Sequence, residues 1–316
     1  VSNAPGLSQT CRSCYNCGMR IVVAGGTGLL GTALAAALRR ERHEVMLLTR
    51  SVAHAMGRIT WKPDGTAGPW ARALDGVGAI VNLAGESIAG RRWSAARKRA
   101  LLDSRILPTR SLVRAMAERP RAPRTLLNAS AVGIYGPHGD EIVTEEMPAG
   151  DDFLGHLASA WEAETEPAAA RGSRVVLLRT GLVLTREGGV LARMLSPFRA
   201  GLGGPLGTGR QYMPWIHLDD WVSLVIWLLY RDDIDGPFNL VGPSPVTNAE
   251  YAHTLARVLQ RPAVMRVPAF ALRLALGELS TALLTGQRVV PERALAAGFR
   301  FAYPELEAAL RHELHT

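Results

Sequence analysis

Six short, largely apolar runs punctuate the chain, at residues 20–24, 44–49, 79–83, 124–129, 174–179 and 238–241. Runs of this length with little polar alternation fit parallel strands covered on both faces. Longer amphipathic stretches lie between them. One covers 30–40, one begins in the basic run 91–99 and continues to about 116, and one covers 151–170. These read as helices, so the pattern predicts strand–helix alternation and an α/β fold. Residues 58–70 read as a short hairpin with Asp64-Gly65 at its turn. From 180 to 220 the pattern breaks into Gly- and Pro-rich pieces. Asp219 or Asp220 then offers a cap for a helix reaching Leu229, and Thr247 a cap for a helix over 248–259. The tail, 268–316, is mostly helical in pattern.

The first junction carries the most chemistry. An apolar run is followed by Gly25-Gly26-Thr27-Gly28-Leu29-Leu30-Gly31 and then by a helical stretch. A dinucleotide pyrophosphate needs this order of strand, tight turn and helix start. Glycine lets the backbone approach phosphate oxygens, and the helix start offers free N–H groups and partial positive charge. The next decision lies at the end of the second run. An NAD enzyme places Asp or Glu there for the ribose 2′-hydroxyl. This chain has Thr49-Arg50-Ser51 instead. A guanidinium grips a 2′-phosphate that a carboxylate would repel, so Arg50 predicts NADP(H) as the cofactor. Leu83, Ala84 and Gly85 end the third run, where small side chains let the backbone lie along a cofactor's ribose and nicotinamide.

Composition narrows the class. The chain has 316 residues, 47% hydrophobic and 20% charged, which fits a globular protein. No apolar run approaches the length of a membrane span. The formal net charge is +8, spread along the chain with a local cluster at 91–99. No membrane or nucleic-acid partner is expected; the expected partner is a small-molecule substrate, with the chain a monomer or homodimer. All three cysteines, Cys11, Cys14 and Cys17, precede Met19 and lack the fourth ligand of a closed structural site, so no metal is expected. Residues 1–18 read as a disordered leader. The absence of a targeting address favours the cytoplasm.

With these pieces in line, the sequence resembles the extended short-chain dehydrogenase/reductase superfamily of epimerase/dehydratase type. More closely it is similar to that superfamily's atypical YfcH-like branch of epimerase family proteins. The likeness rests on the glycine turn, on Asn82-Leu83-Ala84-Gly85-Glu86-Ser87-Ile88, on Arg91-Arg92-Trp93 with Ser104-Arg105, and on Ser130-Ala131-Val132-Gly133-Ile134-Tyr135-Gly136. Further matches are Gly209-Arg210-Gln211-Tyr212-Met213-Pro214-Trp215-Ile216-His217 and Gly298-Phe299-Arg300-Phe301. The resemblance implies a Rossmann-type doubly wound parallel sheet with a smaller C-terminal substrate-binding region. It divides the chain into an NADP-binding core, 19–180, and a mainly helical substrate region, 181–316, of which about 216–241 returns to the core. It implies cofactor contacts at Gly25, Thr27, Gly28, Leu29, Leu30, Gly31, Arg50, Leu83, Ala84, Gly85 and Ser104, and substrate contacts at Glu86, Arg210 and Gln211.

The superfamily's usual proton relay is a Ser or Thr with a Tyr-x-x-x-Lys pair. Anchored on Glu162, the Tyr position of this chain falls on Leu154 and the Lys position on Ala158. The only lysines, Lys62 and Lys98, do not follow a tyrosine at that spacing. The usual relay cannot be built. Ser130 and Tyr135 remain as catalytic candidates, with Ala131 the alternative in Ser130's register. Glu86, His156 and His217 are further titratable groups. Two functions stay open: an NADP(H)-dependent oxidoreductase or epimerase for a small polar or sugar-type substrate using another proton relay, or an NADP(H)-binding regulatory module without activity.

Overall fold

The computed structural model describes residues 18–51, 56–89 and 91–315. The three cysteines and nearly all of the expected leader lie outside these residues. Seven parallel strands form one sheet: β1 (Arg20–Ala24), β2 (Glu44–Thr49), β3 (Arg58–Thr60), β4 (Ala79–Asn82), β5 (Thr125–Ala131), β6 (Arg174–Thr180) and β7 (Gly236–Leu240). The spatial order is β7-β6-β5-β4-β1-β2-β3. The chain moves outward one way from β1 to β3, then returns past β1 to β4 and continues the other way. That reversal opens a crevice at the carboxyl ends of β1 and β4, the place where such sheets bind ligands.

Helices cover both faces, as the doubly wound expectation requires. Helix α1 (Leu29–Arg40) packs on one face through Leu34, Ala35 and Leu38. Helix α2 (Ala95–Glu118) packs on the other through Leu112, Val113 and Ala115, beside α3 (Phe153–Ala163). A separate apolar cluster unites α4 (Gly189–Arg199), α6 (Asn248–Val258) and α8 (Leu306–Leu314) through Leu195, Phe198, Tyr251, Leu255 and Leu310. Helix α5 (Leu218–Leu229) leaves that region and shares the core cluster of α1, and the chain then adds β7 to the sheet edge.

Four local expectations change. Residues 58–70 do not form a hairpin; β3 runs parallel to β2, and a 3-10 turn, Pro69–Leu74, follows. The reason is burial of two indoles: Trp61 and Trp70 meet edge to face at 5.2 Å against the α2 side of the sheet. The helix expected over 151–170 breaks after α3 and resumes only as Glu166–Ala169. Pro167 lacks the N–H that an uninterrupted helix would need. The N-cap of α5 is His217, whose Nδ1 accepts the Asp219 N–H, while Asp220 is buried and accepts the N–H groups of Ala302 and Tyr303. The tail is a chain of short pieces rather than long helices. It includes α7 (Ala269–Leu276) and a two-residue strand, Arg288–Val289, paired with Ile142–Val143. Thr247 does cap α6, in a full capping box with Glu250.

Candidate functional site

The turn between β1 and α1 is shaped by what its glycines exclude. Gly25 has φ +74°, and a Cβ there would lie 2.5 Å from the Leu83 carbonyl oxygen. A Cβ on Gly31 would overlap the Gly25 carbonyl and reach 2.6 Å from Gly26 Cα. These two glycines let strand, turn and helix close on one another and on the end of β4. Gly28 has no such packing reason, because its Cβ would meet only the Gly25 carbonyl, at 3.4 Å. Gly28 and Thr27 are exposed, and Gly28 is the N-cap of α1 with no side-chain cap and no acidic residue in the first turn. The helix start therefore keeps its N–H groups and positive potential facing outward, as an anion site requires. Arg50 is exposed immediately beyond β2, with no carboxylate partner among the described residues.

The strip after β4 is held from below. Asn82, fully buried, donates to Asn128 at 2.7 Å and to Thr109 at 2.9 Å, and its side-chain oxygen accepts the Ala84 N–H. Trp161 Nε1 adds a bond to Thr109 at 2.9 Å. Ser104 Oγ accepts the Glu86 N–H at 3.2 Å, and Arg105 donates to the Glu86 carbonyl at 2.8 Å. The Arg105 guanidinium, desolvated over the Trp161 ring and near Arg97, is brought down to about 10. Glu86 itself pairs with Arg97. Ser104 thus positions the strip, and Glu86 reaches the surface already neutralised.

The carboxyl ends of β5 and β6 carry a different construction. Ser130 Oγ donates to Glu162 at 2.5 Å. Arg179 donates to both Glu162 oxygens at 2.9 Å and to the Tyr135 hydroxyl at 3.0 Å. Tyr135, 1% exposed, donates to Asn239 Oδ1 at 2.7 Å. Glu145 accepts the Asn239 N–H and carries the network to the tail through Arg293. Burial pushes the Tyr135 hydroxyl up to about 12 despite Arg179 beside it, so it stays protonated. Burial also raises the Glu145 carboxyl. Both hydroxyls donate inside this network, Ser130 to Glu162 and Tyr135 to Asn239, and the Tyr135 oxygen also accepts from Arg179.

Arg210 and Gln211 lie elsewhere. They line a cavity of about 350 Å³ with Pro137, Gly139, Asp140, Leu284, Thr285 and Gly286. No residue of the 25–31 turn lines it. Gln211 Nε2 donates to the carbonyls of Leu206 and Leu283, while its buried Oε1 has no partner. His156 is exposed on α3, and His217 is buried as the α5 cap beside Glu313.

Two family profiles match the chain: the NAD dependent epimerase/dehydratase family over residues 21–242, and a domain of unknown function, DUF1731, over residues 267–313. The chain belongs to the NAD dependent epimerase/dehydratase family. Within it, the chain is 45% identical over 292 residues to epimerase family protein Mb2239 of Mycobacterium bovis, covering 92% of this chain and 96% of that one. It is 39% identical over 297 residues to epimerase family protein SDR39U1 of Homo sapiens, covering 93% and 99%. The crystal structure of human SDR39U1 (isoform 2) with NADPH superposes with a TM-score of 0.86 at 38% identity, covering 94% of this chain and all of that one. A nucleoside-diphosphate sugar epimerase from Corynebacterium glutamicum gives a TM-score of 0.79 at 34% identity, covering 94% of this chain and 58% of that one.

Against the family's usual relay, the structure adds one fact. Leu154 packs on Gly133, whose Cβ would lie 3.3 Å from Leu154 Cβ. The position that carries tyrosine in the usual relay therefore contributes an apolar wall here. Sequence reasoning missed the Glu162–Arg179 pair and the Asn82–Asn128–Thr109 group. Their one signal was a charged or amide residue inside an otherwise apolar strand or helix.

Proposed function

We propose that the chain binds NADP(H) over the 25–31 turn and serves an oxidoreductase or epimerase reaction on a small polar or sugar-type substrate, with the proton moved by groups other than a Tyr–Lys pair. One observation carries the reading: an uncapped helix start behind Gly28, a glycine with no packing partner to explain it. The backbone N–H groups of Leu29 and Leu30 suit the pyrophosphate, with Thr27 beside them, while the Gly28 N–H closes the turn on the Gly25 carbonyl at 3.0 Å. Arg50 suits the 2′-phosphate. Gly25 and Gly31 let the turn close, and Leu83, Ala84 and Gly85 offer a thin edge for the ribose and nicotinamide. The nicotinamide supplies hydride transfer when bound.

The substrate's polar part is assigned to Arg210 and the unpartnered Gln211 Oε1, with Glu86 at the surface as a further polar contact. Ser130 and Tyr135 act as positioning residues that hold β5, β6 and β7 together, in place of the acid–base role expected from sequence. Purified protein heated with NADPH or NADH tests the cofactor reading. A larger shift in Tm with NADPH than with NADH, the difference lost in Arg50→Ala, supports it; equal or absent shifts with both cofactors contradict it. The apolar Leu154 and Ala158 at the relay positions favour the second reading, a regulatory module. Following NADPH absorbance across a panel of polar carbonyl and sugar substrates separates the two, since a module binds NADPH and turns over none of them.

A further inference from the structure

Two stretches of the chain carry arginines without acidic residues among them. Residues 188–218 and 251–277 contain seven arginines and no Asp or Glu, and of the seven, Arg257 pairs with Glu307 at 3.3 Å. The two segments are neighbours in space. Leu206 bridges Val267, Val267 N–H donates to the Pro205 carbonyl at 3.0 Å, and Gly207 N–H donates to the Val267 carbonyl at 2.8 Å. Arg199, Arg261, Arg266 and Arg273 are exposed there and have no carboxylate partner among the described residues.

Apolar side chains stand among these arginines. Eight large hydrophobic residues are exposed among the described residues, and five belong to this surface: Leu202, Val264, Met265, Phe270 and Leu274. Val264 is 76% exposed, Phe270 71% and Leu274 78%. Phe270 and Leu274 are one turn apart on α7, so they share a face. No residue of α7 is buried, although six of its eight residues are Ala or Leu. Ala269, Ala271, Leu272 and Leu276 are half-buried against the protein, and the opposite face, with Phe270 and Leu274, is left without a partner among the described residues.

We infer that α7 and the adjoining 199–206 and 261–267 segments dock the protein on the surface of a bilayer containing anionic phospholipid. Charge complementarity selects this occupant. Four unpaired guanidinium groups attract phosphate headgroups, and five apolar side chains enter the acyl boundary beneath them. A second copy of the chain would set the same basic face against itself. A nucleic acid would use the arginines but leave the aliphatic residues idle, and Phe270 is the only aromatic ring among the five. The expectation of no membrane partner came from the lack of a spanning segment, and no described helix is long and apolar enough to cross a membrane. Lying on a membrane is a different physical claim, which needs only this mixture of basic and apolar surface.

The test is co-sedimentation of the full chain with vesicles of phosphatidylcholine alone or mixed with phosphatidylglycerol. Pelleting with the mixed vesicles only, weakening as salt is raised, is the expected result. Arg266→Ala with Arg273→Ala lowers the partition about thirtyfold. Phe270→Ser with Leu274→Ser abolishes pelleting while leaving Tm and the NADPH-induced shift unchanged, because both side chains are exposed. No pelleting with mixed vesicles overturns the inference, as does pelleting that both double variants retain. Salt-sensitive RNA binding without vesicle binding assigns the face to nucleic acid and overturns it. A dimer broken by Phe270→Ser without vesicle binding assigns it to a second copy and overturns it too.

Discussion

The two halves of the sheet's carboxyl edge are made of different materials. At β1 and α1 the site is a contour of backbone: glycines at 25, 28 and 31, an uncapped helix start, and one arginine beyond β2. At β5 and β6 it is a mesh of side chains, Ser130, Glu162, Arg179, Tyr135 and Asn239, closed on itself and buried. A contour offers unpaired N–H groups to whatever approaches. A closed mesh offers nothing, because each donor already has its acceptor. The backbone of one half is left free to meet a ligand, while the side chains of the other are committed to one another.

The largest expected effect breaks the mesh. Glu162→Ala strands the buried Arg179 guanidinium, and urea unfolding should show a loss of about 3–5 kcal/mol. A loss below about 1 kcal/mol would show that the mesh holds little. The next effect breaks the contour. Gly31→Ala places a Cβ against the Gly25 carbonyl, and the stabilisation by NADPH, about 2.7 kcal/mol at a hundredfold excess over Kd, should vanish. Retention of the full shift would contradict the role given to the turn.

Arg50→Ala is expected to be smaller and selective. NADPH should bind roughly tenfold to a hundredfold more weakly, with NADH affinity unchanged in calorimetric titration. Equal weakening of both would mean that Arg50 does not read the 2′-phosphate. The smallest effect lies away from both halves. Burial holds the His217 imidazole below its ordinary 6.5, so the unfolded chain takes up that proton first as pH falls. Its contribution is complete above pH 6.5 and is lost as pH drops below it, by less than about 1.4 kcal/mol per pH unit. His217→Asn keeps a capping acceptor for α5 and should flatten the unfolding free energy between neutral and mildly acid pH. An unchanged slope would remove His217 as its cause.

The contour was legible in the sequence because it is written in residue types with few other uses. Gly25, Gly28 and Gly31 at their spacing, after an apolar run and before a helix, already place the turn between β1 and α1, and Arg50 just beyond β2 is the residue on which the proposed 2′-phosphate contact turns. The mesh was not legible, because its meaning lies in pairings between residues far apart in the chain. Arg179 and Glu162 are 17 positions apart, and Tyr135 and Asn239 are 104 apart. Read singly, Tyr135 is a candidate acid; only its bonds to Asn239 and Arg179 show its hydroxyl committed. Trp61 and Trp70 teach the same lesson, since their mutual burial replaced an expected hairpin with a parallel edge strand.

Calorimetric titration of Tyr135→Phe with NADPH shows whether the β1–α1 turn and the Ser130–Tyr135 mesh act independently. Removing this hydroxyl leaves Asn239 and Arg179 each short of a partner, so thermal unfolding run alongside should show a loss of about 1–3 kcal/mol. If the halves are independent, the NADPH Kd stays within about threefold of the parent, the ordinary scatter of context effects on a remote site. A Kd weakened by tenfold or more with unchanged stability would instead place Tyr135 in the cofactor site.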